Sequence, residues 1–249
     1  MPQFSFEVMR PAQGVPEAEG GIGAVTRAVA LIPGTGEYAL ATTPAVFSDR
    51  LGRNRVANVN SPAGVTDFRA SLDQMGRELP KVGSVSLVVS WFGTDLRCGD
   101  CTISPKVEQV TAEAAQPWRV SGLARRNAEV VATREGRPVY GGTPSDGSVI
   151  EALTALAQAG KRAVFYPFIL MEQLRGNARP DPWGGSEQPA LPWRGRITLS
   201  RAPGEVGSPF GTIAAKAEVA RFFGSARVED FTATGTTIVY TCLLYTSDA

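Results

Sequence analysis

The side chains able to do chemistry in this chain are carboxylates, tryptophans and one pair of cysteines. Histidine is absent from all 249 residues, which removes Ser-His-Asp and Cys-His catalysis and every histidine-ligated metal site. Asp95 follows the apolar run SVSLVVSWF (84–92), and Glu172 follows AVFYPFILM (163–171). Runs of this kind predict strands buried on both faces of a parallel sheet. Ligands of such sheets gather beyond the carboxyl ends of the strands, so Asp95 and Glu172 are expected to approach one mouth. Two carboxylates roughly 5–10 Å apart are the machinery of glycoside hydrolysis, one as acid and the other as base or nucleophile. The plainer reading gives Asp95 to a turn and Glu172 to a solvated loop. All four tryptophans lie at strand ends or in loops. Trp91 and Trp193 are the candidate sugar-stacking platforms, although such rings also serve as pegs that fasten loops to a core.

Cys98 and Cys101 form a CxxC inside DLRCGDC. A local disulfide closing a tight loop is the expectation if the protein works outside the cytosol. Two free thiols are an alternative. So is redox catalysis, which wants the first cysteine at a helix N-terminus, whereas TISP follows here. Three cysteines in all, without histidine, nearly exclude structural zinc. Gly34-Thr35-Gly36-Glu37-Tyr38-Ala39 fits a loose dinucleotide fingerprint, but Thr42-Thr43-Pro44 interrupts the helix that the fingerprint needs behind it. A plain turn is expected there, and no cofactor.

Several elements would position these residues. Phe68, Leu72, Met75 and Leu79 share one helical face between Thr66, a possible cap, and Pro80. Ser148 with Glu151 matches a capping box that opens a helix running to Gly160. Another helix is expected from Ser208-Pro209 to Gly224, and TTIVYT (236–241) is β-prone. Strand, helix and strand make a βαβ unit, so the class is α/β.

The charge balance of 25 basic against 24 acidic residues argues against nucleic acid or a polybasic membrane surface as partner. With 43% hydrophobic residues the chain can fill a core. No apolar run reaches the roughly 18–20 residues of a membrane span, and MPQFSFEVMRP lacks the basic-then-apolar order of a signal peptide. The expectation is a chain made in the cytoplasm.

The segments NVNSP (58–62), SVSLVVSWFGTDLRCGDC (84–101), WRVSG (118–122), RPVYGGTPSD (137–146), FYPFILM (165–171) and ALPWRGRITLS (190–200) carry a resemblance. In this order they closely resemble the TIM-barrel-like domain of the tail-hub protein of gene transfer agents and related phage-like tail-tip proteins, over about residues 30–241. The resemblance implies the N-terminal portion of a (β/α)8 barrel similar to glycoside hydrolases. It also implies assembly into a phage-like particle tail beside other tail and baseplate proteins, as a homotrimer, and a scaffold or cell-envelope glycan-binding role. The alternative it offers is a carboxylate-based glycoside hydrolase. Its main catalytic glutamate would lie in a segment absent here, so this chain alone is expected to be inactive. On the same grounds residues 1–20 resemble the end of a preceding tail-hub module with a linker, leaving 21–241 to the domain. Residues 242–249 depart from the family and resemble a translated sequencing adapter, so a non-native tail is expected there.

Overall fold

The computed structural model describes residues 21–34, 36–48, 53–234 and 237–240. The expected incoming strand and linker (1–20) and the expected non-native tail (242–249) lie outside the described residues. The chain divides into two compact units. Unit 1 takes the described residues of Met1–Ser90, with Pro105–Val131 and Gly136–Phe168. Unit 2 takes Trp91–Ser104, Ala132–Glu135 and the described residues of Ile169–Ala249.

One sheet organises the chain. Its middle strand is β2 (Ser84–Gly93), set between β1 (Ala28–Leu31) and β4 (Arg162–Met171), with β3 (Ile103–Ser104) also pairing with β2. Strand β1 runs parallel to β2, Ala28 opposite Ser84 and Leu31 opposite Leu87, and β3 returns antiparallel with Phe92 opposite Ser104. The near-continuous apolar run of β2 matches its central place, and Val85, Leu87, Val89 and Phe92 are buried.

The expected partial (β/α)8 barrel is not what the chain builds; the architecture is mixed α/β with small open sheets. Barrel closure requires every strand to pair on both sides, yet β1 and β4 end the row, and the other strands of the described residues form two-stranded ribbons. The segment between β3 and the helix that precedes β4 turns too often to extend. Ser121-Gly122 and Glu135-Gly136 all take positive φ, values of 48–83°, so the chain reverses after two-residue strands.

Strand β4 also departs from the expectation of burial on both faces. Val164, Phe165 and Tyr166 are 40–51% exposed. The strand ends the row, a place that suits Pro167, whose missing N–H confines it to an outer strand.

Helix α1 (Asp67–Glu78) follows Thr66 and buries Phe68, with Leu72 and Met75 half-buried on the same side. Helix α2 (Asp146–Gln158) begins earlier than the capping-box reading placed it. Its cap is Ser145, whose Oγ accepts from the Ser148 N–H at 3.2 Å. Glu151 is thereby freed to accept from the backbone N–H groups of Thr42 and Thr43 at 2.6 and 2.9 Å. Helix α3 (Ile213–Phe223) is capped by Thr212 rather than opening at Ser208-Pro209, and ends at Gly224, whose φ of 67° suits glycine. Among the described residues no helix is long and apolar enough to cross a membrane.

Candidate functional site

Strand β2 delivers Asp95 into the loop 94–102. The strand closes on Gly93, where a Cβ would stand 2.8 Å from Met171 Sδ and 3.1 Å from Ile169 Cγ2. Thr94 and Thr102 then pin the neck of the loop: the Thr94 N–H donates to Thr102 O at 3.1 Å and the Thr102 N–H to Thr94 Oγ1 at 3.0 Å. Asp95 is 1% exposed. Its Oδ1 accepts from the Arg97 N–H at 2.8 Å, Arg97 Nε at 3.0 Å and Gln188 Nε2 at 2.7 Å. Its Oδ2 accepts from Arg97 Nη2 at 2.8 Å, with Arg179 Nη1 at 3.5 Å. Burial pushes the carboxyl up, but the Arg97 and Gln188 donors outweigh it and hold it below the ordinary carboxylate value. Gln188 completes the knot by accepting from the Leu96 N–H at 3.0 Å. Each oxygen is saturated by donors, so the group has neither a proton to give nor a lone pair facing a substrate. It is a fastener.

The same loop is stitched to residues 196–200. The Cys98 N–H donates to Thr198 O at 2.6 Å, and the Thr198 N–H to Leu96 O at 2.8 Å. The segments TDLRCGDC and ALPWRGRITLS therefore meet as framework. Others do the same within unit 1. The Asn58 side chain donates to Thr43 O at 2.9 Å and accepts from the Ala45 N–H at 2.8 Å, and Trp118 Nε1 donates to Thr143 O at 2.8 Å.

Glu172 accepts from the Ala132 N–H at 2.7 Å and is half-buried. Trp91 is half-buried in β2. Trp183 is a peg, its Nε1 donating to Arg196 O at 3.3 Å. Trp193 is different, because it is 61% exposed while its ring lies against Gly195 and 4.4 Å from the Arg194 guanidinium carbon.

Cys98 and Cys101 are free thiols here, in place of the expected local disulfide. Cys98 packs with Leu199 and Ala215, whereas Cys101 Sγ lies toward Gly93. Burial pushes both thiols above the ordinary cysteine value, and Glu218 adds to this at Cys98. A thiolate nucleophile is disfavoured at both positions.

Sequence reasoning missed the strongest electrostatic feature, which lies in unit 1. Arg125 is 2% exposed and bonds Glu37 through both Nη atoms, the Nη1–Oε1 contact measuring 3.1 Å and Nη2 meeting Oε2. Arg125 Nε reaches Glu113 Oε1 at 2.9 Å, and Nη1 also donates to Gln109 O at 2.8 Å. Tyr38 OH donates to Gln116 O at 2.8 Å. Burial pushes the Tyr38 phenol up to about 12 and raises the Glu37 carboxyl even with Arg125 beside it. Residues 36–39 thus turn inward, with the Glu37 carboxylate buried. Residues 36–40 form turns, the Ala39 N–H donating to Gly36 O at 3.2 Å, instead of opening a phosphate-binding helix. Neither the arginine pair 125–126 nor the spacing to Glu37 gave a signal, since the partners are 88 positions apart.

No protein-family model matches the chain, and a comparison with curated proteins finds no significant match.

Proposed function

We propose that this chain is a piece of a tail-hub protein of a phage-like particle, acting there as a non-catalytic scaffold that presents a glycan-contacting surface. The observation that carries the non-catalytic reading is Asp95. The carboxylate best placed by sequence for hydrolysis is buried and saturated by Arg97 and Gln188, so it supports framework work rather than turnover. The segments that resemble the tail-hub family contribute bridging side chains and backbone ties, as expected of a scaffold that sets loop positions. Trp193, exposed and backed by Arg194 and Gly195, is the stacking surface offered to a sugar face.

Co-sedimentation of the full chain with purified cell-wall glycan tests the proposal, with reducing ends measured in the same tubes. Saturable binding that Trp193→Ala weakens by about tenfold, without release of reducing ends, is the expected result. Release of reducing ends would overturn the non-catalytic reading. Absence of binding would overturn the glycan contact.

A further inference from the structure

Two tryptophan rings of unit 2 stand on one turn. Residues Arg194–Arg196 form a single 3-10 turn, in which the Arg196 N–H donates to Trp193 O at 2.9 Å and the Ile197 N–H to Arg194 O at 3.0 Å. Trp193 opens the turn, and its indole lies so close to Gly195 that a Cβ there would collide with it. Trp183 reaches the other end of the same turn, where its Nε1 donates to Arg196 O at 3.3 Å. Its own segment is fixed independently. Asp181 accepts from the Trp183 N–H at 3.1 Å and the Gly185 N–H at 3.2 Å, and the Ala202 N–H donates to Pro182 O at 2.9 Å. Each ring also carries a guanidinium, Arg194 at 4.4 Å from the Trp193 centroid and Arg196 at 5.3 Å from that of Trp183. So fastened, Trp193 and Trp183 remain 61% and 40% exposed.

Both rings are held in place, yet apolar indole surface is left to water. Holding the rings in advance lowers the ordering cost of any ligand that stacks on them. Two such rings on one turn suit an occupant that presents apolar faces in succession along a polar chain, because the second contact is made by a ligand already held at the first. A chain of pyranose units has this form. Each unit shows a C–H face to an indole and carries hydroxyls at its rim, which accept from donors such as the Arg196 guanidinium beside Trp183. We infer that Trp193 and Trp183 form one extended site for a linear β-linked oligosaccharide, with separate sugar units of one chain on the two indoles, and that a single sugar unit is too short to fill it. This inference rests on the glycan contact proposed above and adds to it a second ring and a minimum length of ligand.

Calorimetric titration of the full chain with β-1,4-linked N-acetylglucosamine oligomers, from the monomer to the hexamer, tests the assignment. Affinity should rise by at least about tenfold from the monomer to the oligomer that reaches both rings, and then level off. Trp183→Phe keeps an aromatic face without the Nε1 bond, whereas Trp183→Leu loses face and bond together. Both lose the bond to Arg196, so a difference between them reports stacking rather than the seating of the loop. Trp183→Leu should abolish the rise with length, and Trp183→Phe should keep most of it. Affinity that does not rise with length, or equal effects of the two substitutions, would overturn the two-ring site. If Trp193→Ala still weakens co-sedimentation with cell-wall glycan in that case, the single-ring contact stands. Absence of binding to every oligomer while cell-wall glycan still co-sediments would also overturn the two-ring site. Absence of both would overturn the glycan contact and this inference with it.

Discussion

Replacing Arg125 by methionine isolates the buried ion network of unit 1. Methionine keeps much of the aliphatic volume and removes the charge, leaving Glu37, 4% exposed, without its two guanidinium bonds. The Gln109 carbonyl and Glu113 lose a donor as well. Removing one partner of a buried pair costs about 3–5 kcal/mol, because the other charge stays buried. At roughly 2–4 °C per kcal/mol for a chain of this size, the midpoint should fall by about 6–20 °C, measured by circular dichroism. The pH dependence has a definite sign. The Glu37 carboxyl is already raised above 4.5 by burial, and Arg125 is the main influence holding it down. Without Arg125 its folded-state value rises further. The folded variant then holds a proton that the unfolded chain releases above about 4.5, so stability is lost as pH rises through that interval. The deficit relative to the parent should be largest near pH 7 and shrink toward pH 4.5. The double substitution Glu37→Gln with Arg125→Met should recover part of the loss, since no buried charge is left alone. A deficit below about 1 kcal/mol, or one that does not change between those pH values, would refute the reasoning.

Three further substitutions or measurements follow from unit 2. Asp95→Asn should destabilise by about 2–3 kcal/mol, because charge-assisted bonds to Arg97 are lost; the parent should lose stability as pH falls below 3.8 toward the lowered Asp95 value, and the variant should lack that component. Gly93→Ala should cost about 1–3 kcal/mol by overpacking, seen as a lower denaturation midpoint, since its Cβ would stand 2.8 Å from Met171 Sδ. Cys98 and Cys101, buried and with raised values, should react with a thiol reagent only after unfolding, and peptide mass spectrometry would separate them from Cys242; rapid labelling of either in the native chain would contradict the burial argument.

Local elements were legible in the sequence where one physical signal acted alone. The 68/72/75/79 stripe identifies α1, and the apolar run 84–92 identifies the central strand. The exposed edge at β4 was also written in the sequence, as Pro167, but hydrophobicity masked it: an apolar run reads as buried unless its missing N–H is weighed. The capping box at Ser148 failed through competition, since Ser145 offered the same oxygen one turn earlier and Glu151 found better donors at Thr42 and Thr43. That the sheet stays open was not legible, because closure depends on strand pairing, which no local pattern encodes. Asp95 reads in the sequence as a candidate catalytic carboxylate or a turn residue, and the contacts it makes depend on Gln188, 93 positions away. The Arg125 network lies beyond sequence reading for the same reason.

The interleaving of the two units also sets the order in which the chain can be completed during synthesis. Unit 1 closes only when Gly136–Phe168 has emerged, because Thr42 and Thr43 wait for Glu151. Unit 2 has by then received only two short segments, Trp91–Ser104 and Ala132–Glu135, and needs the stretch from Ile169 onward. At about 5–20 residues per second, the 20 residues from Ile169 to Gln188 follow in about 1–4 s. During that interval Asp95 and Arg97 are outside the ribosome while Gln188 has not yet emerged from it. A nascent chain therefore carries a finished unit 1 and an open loop 94–102, and neither unit can be excised as one continuous piece of sequence.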